Sequence, residues 1–125
     1  MTVGLAAAVA NGFLDNFRNN AVSARNVFMK LHIGDPGAAG TANPSAVTTR
    51  NAVTWSAASG ASMALSSISG YSMTTTETIT HISFWDASTA GNFLQSAALT
   101  SSQPVINGST LNFTTITLSY SPIAA

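Results

Sequence analysis

Residues 76–85, Thr76-Glu77-Thr78-Ile79-Thr80-His81-Ile82-Ser83-Phe84-Trp85, decide the fold. β-Branched and aromatic side chains fill most of the run, apolar groups fall on both of its faces, and neither Gly nor Pro interrupts it. Such residues fit a pleated backbone covered on each side, so the run predicts a central β-strand. Downstream, Asp86-Ala87-Ser88-Thr89-Ala90-Gly91 reads as a hairpin connection and Asn92 to Leu99 as the return strand. Pro104 and Asn107-Gly108 punctuate the next turn region, and 110–120 closes the sheet. In that last segment Leu111 and Phe113 share one face while Ile116, Leu118 and Tyr120 share the other; the one-residue change of phase predicts a bulge.

Upstream of residue 76 the pattern is also that of strands. Val27, Met29, Leu31 and Ile33 alternate with Phe28, Lys30 and His32, as in a half-buried strand. Asp35-Pro36-Gly37 ends it, because proline presets the turn dihedral and glycine accepts a positive φ. A further strand is expected within 47–57, with Val53 and Trp55 on one face, and short strands and loops within 56–76. Residues 4–17 differ: Leu5, Val9, Phe13 and Phe17 recur about four apart among alanines, the apolar stripe of a short helix. The expected fold is therefore mainly β: a single-domain antiparallel β-sandwich with a short N-terminal α-helix. Residues 1–24 would form the helix and its connection, and 25–125 the β-sandwich domain. The helical stripe has two readings, packing on the chain's own sheet or meeting a neighbouring subunit. On the second, Leu5, Val9, Phe13 and Phe17 are candidate assembly contacts.

The chain has 125 residues, and only eight are charged: Asp15, Arg18, Arg25, Lys30, Asp35, Arg50, Glu77 and Asp86. That 6% is far below the roughly 25% of an ordinary soluble domain. Its polar character comes from 17 Ser and 16 Thr, which hydrogen-bond without the desolvation cost of a charge when a surface is covered. A chain so depleted in charge is suited to permanent association, since the buried centres of interfaces share that depletion. Zero net charge and the lack of any Lys/Arg cluster argue against nucleic acid or a membrane surface as partner. The apolar run 3–10 is too short to cross a bilayer and follows no basic segment, so neither an anchor nor a secretory signal is expected. There is no cysteine.

Catalytic chemistry finds little support. His32 and His81, with Asp35 and Asp86 nearest in sequence, allow a Ser-His-Asp arrangement only on paper, because no G-x-S-x-G elbow accompanies them. A hydrogen-bonded core or interface histidine is the better reading of His81. Asp35 stands alone in its loop, whereas a calcium site gathers several oxygens. Four scattered acids make a poor glycosidase, and no phosphate-binding loop occurs. Asn107-Gly108-Ser109 and Asn112-Phe113-Thr114 match the glycosylation triplet, a pattern short enough to arise by chance. Trp55, Trp85, Tyr71 and Tyr120 could form a sugar platform, although core packing explains such side chains better. No enzyme, cofactor or metal is expected.

Three stretches carry a family resemblance: 30–41 (KLHIGDPGAAGT), 50–55 (RNAVTW) and 77–99 (ETITHISFWDASTAGNFLQSAAL). In content and order they resemble the "LHxxDPGxxGT", "R-x-A-V-T-W/F", "THxxLWDA" and "GNxLxxxAL" segments of small structural virion proteins of tailed bacteriophages of actinobacterial type. The resemblance runs from about residue 28 to the end of the chain and leaves the N-terminal helix outside it. It implies a β-rich virion component and transfers no catalytic residue. Two placements compete. The first is a capsid decoration or minor capsid protein on the head surface, as a trimer bound to the major capsid protein; a short chain without fibrous repeat favours it. The second is a tail-fibre or minor tail protein, bound to tail proteins and in reach of the host surface. A carbohydrate-binding module is a further alternative.

Overall fold

The computed structural model describes residues 3–17 and 25–119. Nine strands and one helix occur among them: β1 (Gly4–Leu5), α1 (Ala7–Asn16), β2 (Val27–His32), β3 (Asn51–Trp55), β4 (Ser62–Ile68), β5 (Tyr71–Ser72), β6 (Glu77–Trp85), β7 (Phe93–Val105), β8 (Thr110–Leu111) and β9 (Thr117–Ser119). Seven strands form one antiparallel sheet in the order β1-β7-β6-β2-β3-β4-β9, and β5 and β8 form a two-stranded ribbon. The protein is mainly β and sandwich-like, as the succession of short strands and turns predicted. β6 lies inside the sheet between β2 and β7, with Ile79, Ile82, Ser83, Phe84 and Trp85 all buried.

Strand register assigns the two faces. Met29 pairs with Phe84, Leu31 with Ile82, and Val27 with Val53, so these side chains share one face. They form one apolar cluster with Tyr71 and Met73, against which Leu111 and Phe113 pack from the ribbon side and Val9 from α1. Tyr71 fixes the ribbon to the sheet: its hydroxyl donates to the Met29 carbonyl at 2.5 Å, and its ring meets Phe113 edge-on at 6.2 Å. The opposite face carries Phe28 beside Trp85, Lys30 beside Ser83, and His32 beside His81.

Several local expectations change. Gly4 and Leu5 are not helical; they pair with Ser96 and Gln95, and the helix starts only after Ala6. Gly4 has φ 136°, a backbone that L side chains rarely adopt. β2 is not half-buried, because His32 on its polar side has no exposed surface, while Ile33 lies past the strand end and is exposed. The return strand runs on to Val105 and includes Pro104. Proline is tolerated there because β1 pairs with β7 only at Gln95 and Ser96, which leaves the far part of β7 an edge among the described residues. The phase change within 110–120 is a change of partner rather than a bulge: Leu111 pairs with Tyr71 in the ribbon, and Leu118 pairs with Met63 in the sheet. Tyr120 lies outside the described residues.

Candidate assembly site

Alanine-rich sequence favours a helix at 7–16, and Val9 packs it against the core, but its ends carry no supporting polar groups. Ala6 offers no side-chain cap, the first turn has no acid, the last has no base, and no residue of the helix is buried. Leu5, Val9 and Phe13 line a largely apolar cavity of about 450 Å³ whose other walls include Trp55, Met63, Phe84 and Leu118. The stripe thus splits. Its first three residues border this cavity, whereas Phe17 stands 91% exposed past the helix end, with Leu14 65% exposed and Phe13 44%. Met63 and Leu118 were legible only as apolar strand residues, since nothing in a sequence signals that they pair across β4 and β9 on one cavity wall.

On the opposite face the polar groups are engaged in structure. His32 Nδ1 lies 2.8 Å from the Ala42 carbonyl and Nε2 2.7 Å from Ser83 Oγ. A carbonyl can only accept, so Nδ1 carries the proton, Nε2 accepts from the Ser83 hydroxyl, and Ser83 Oγ accepts from Trp85 Nε1 at 2.8 Å. Every ring nitrogen and the hydroxyl are satisfied by a neutral imidazole, and burial lowers the His32 pKa below its ordinary value. This is a serine–histidine pair without a nucleophile's exposure. Ser83 and His32 have no accessible surface, and where a triad places a carboxylate there is a backbone carbonyl. His81 takes a 2.8 Å hydrogen bond with the Thr80 hydroxyl.

The carboxylates brace loops. Asp35 Oδ1 accepts from the Gly37 amide at 2.9 Å, consistent with its turn-forming role. Asp86 takes the Asn92 amide at 2.6 Å and its side-chain Nδ2 at 2.9 Å, which closes the 86–92 connection and lowers its pKa. Glu77 accepts from the Ser45 hydroxyl and, at 3.3 Å, from the Ala46 amide. Arg50 donates to the Ala87 and Ala90 carbonyls at 3.1 and 2.6 Å, with its guanidinium 3.9 Å from the Trp85 ring centroid. No group of three or more His, Asp or Glu able to hold a metal occurs among the described residues.

Among the described residues, the aromatic side chains considered for sugar binding do not share an exposed face. Trp85 and Tyr71 are buried, and Trp55 packs edge-on against Phe84 at 5.6 Å on the cavity wall. Among the described residues, no helix is long and apolar enough to cross a membrane.

The family model of podophage GP4 fiber I protein gp80 matches residues 4–121. The chain belongs to that family. No curated protein matches it. Membership of the gp80 fibre family makes this a phage structural protein with a tail-fibre-like relative, and the match includes α1, which the resemblance in sequence had left outside. Sequence reading favoured head decoration, whereas the family is one of fibre proteins and supports the alternative placement.

Proposed function

We propose that this protein is a non-enzymatic fibre subunit of a podophage tail, which acts by joining copies of itself and other tail proteins. The observation that carries the reading is the match to a fibre family over residues 4–121. The chemistry agrees with it: the buried imidazole is fully hydrogen-bonded, and the acidic side chains at 35, 77 and 86 each brace a loop. Sparse charge suits surfaces that remain covered after assembly. Labelling intact particles with a gold-conjugated antibody against this chain tests the placement. Gold confined to the tail is expected, and gold distributed over the head would overturn the reading.

A further inference from the structure

We propose that the cavity beneath α1 binds an amphiphilic carboxylate, with its alkyl chain among the apolar walls and its acid group on Arg25. The inference goes beyond the fibre reading and does not depend on it.

The walls set the apolar part of the ligand. Val9, Phe13, Trp55, Met63 and Leu118 are among the side chains that line a space of about 450 Å³. An apolar void of roughly 150 Å³ holds the six carbons of benzene, so this one has room for an alkyl chain of about twelve. Filling it removes apolar surface from water on both sides, the usual basis of recognition in a pocket with few polar groups.

Arg25 sets the head group. It is the charged residue of the wall, its polar companions Ser62 and Gln95 are neutral, and no acid lines the cavity among the described residues. One guanidinium nitrogen, Nη2, lies 3.9 Å from the point that a Cβ at Gly12 would occupy, so the charge adjoins α1 between Val9 and Phe13. Among the described residues Arg25 has no hydrogen bond or ion pair. Asp86 feels its charge through space but gives both carboxylate oxygens to Asn92, and Asp15 of α1 is engaged elsewhere. A carboxylate suits the free guanidinium because two parallel N–H groups meet two oxygens. A cationic amphiphile would bring like charges together, and a neutral one would leave Arg25 unused.

Fluorescence of the full chain with 11-bromoundecanoate, and calorimetry with dodecanoate, test the site below micelle-forming concentrations. Of the two tryptophans, Trp55 lines the cavity and Trp85 lies on the opposite face of the sheet. The bromine is expected to quench Trp55 saturably, and Trp55→Phe to abolish the quenching. Dodecanoate is expected to bind about tenfold more tightly than dodecanol or dodecyltrimethylammonium, the worth of one charged hydrogen-bonded pair. Arg25→Gln should remove that preference and leave dodecanol binding unchanged. Val9→Phe, which occupies the cavity, should remove binding of both, with the circular dichroism spectrum unchanged. No saturable binding to the parent, equal affinity for the three head groups, full dodecanoate affinity in Arg25→Gln, or quenching that persists in Trp55→Phe would overturn the proposal. So would self-association that Val9→Phe abolishes in a chain that dodecanoate does not enter, because a second copy would then fill the cavity. Dodecanoate bound in this way with gold on the head would leave the site standing and remove the fibre reading. Gold on the tail without binding would do the reverse.

Discussion

Gly40 packs against the ring of Phe93 so closely that a Cβ at residue 40 would overlap the ring carbons. Its φ of 72° adds a second constraint, because L side chains rarely adopt that backbone. Together these facts join the "DPGxxGT" loop to the start of β7. Gly40→Ala is expected to lower unfolding free energy by about 2–4 kcal/mol, combining overpacking with left-handed strain. Gly108→Ala is the comparison, since φ there is 88° but nothing lies within 4 Å of the added carbon. Only the backbone cost of about 1–2 kcal/mol is expected at that position. Urea denaturation of both variants measures the difference, and equal losses would show that Phe93 contributes nothing.

Ser83 connects two buried rings. Replacing it with Ala leaves Trp85 Nε1 without its acceptor and His32 Nε2 without its donor, in a place that has no exposure to water. An unsatisfied buried group costs about 1–3 kcal/mol, so Ser83→Ala is expected to cost about 2–4 kcal/mol. The exposed Ser101 gives the baseline: Ser101→Ala should stay within about 0.5 kcal/mol of the parent. Thermal melts of the two variants make the comparison.

Arg50 acts through its shape as much as its charge. Its guanidinium lies over Trp85 while the same nitrogen reaches two carbonyls of the 86–92 connection. An ammonium can keep the charge but not the flat stack on Trp85, so Arg50→Lys is expected to cost about 1–2 kcal/mol, most of the loss seen for Arg50→Ala. If lysine restored parent stability, charge alone would explain this residue.

How much of this was legible beforehand follows from the range of each interaction. Alternation is local, so the strand at 76–85 and its return after the 86–91 connection could be read directly. The ends of elements could not: Gly4–Leu5 becomes a strand because β7 is alongside it, and Pro104 stays in a strand because, among the described residues, none pairs with the outer side there. Leu111 and Leu118 have opposite phase because they pair with different strands, at Tyr71 in β5 and Met63 in β4, a fact of topology that periodicity reports only as an irregularity. The same limit applies to the site. The helical stripe at 5, 9 and 13 was visible, but most of its cavity is bounded by residues far along the chain, Trp55, Met63, Phe84 and Leu118 among them, and volume between distant side chains leaves no mark on the sequence. Arg50, Ser83 and Phe93 stood inside recognisable motifs. Their roles became clear only once Trp85, His32 and Gly40 were placed beside them.

Two buried groups set the pH range of stability. Burial lowers the His32 pKa from 6.5, opposed by its hydrogen bond to Ala42 and aided by the nearby charges of Lys30 and His81. The unfolded chain therefore binds a proton near pH 6.5 that the folded chain refuses, and stability present above that pH declines as the pH falls below it. Tyr71 behaves in the opposite sense. Burial raises its pKa above 10.0, so the unfolded chain loses a proton there first, and stability present below pH 10.0 declines as the pH rises past it. A plateau between these values is the expected outcome in urea denaturation across pH. Asp86, whose pKa is lowered from 3.8, adds its own loss only as the pH falls below about that value, well separated from the histidine limb. Tyr71→Phe should flatten the alkaline limb while lowering the plateau by about 1–3 kcal/mol, because the Met29 carbonyl loses its buried donor. His32→Gln should flatten the limb just below pH 6.5 and leave the alkaline one unchanged. If the acid limb kept its slope in that variant, its source would be another group and the neutral, Nδ1-protonated His32 derived from the hydrogen-bond chain would be wrong.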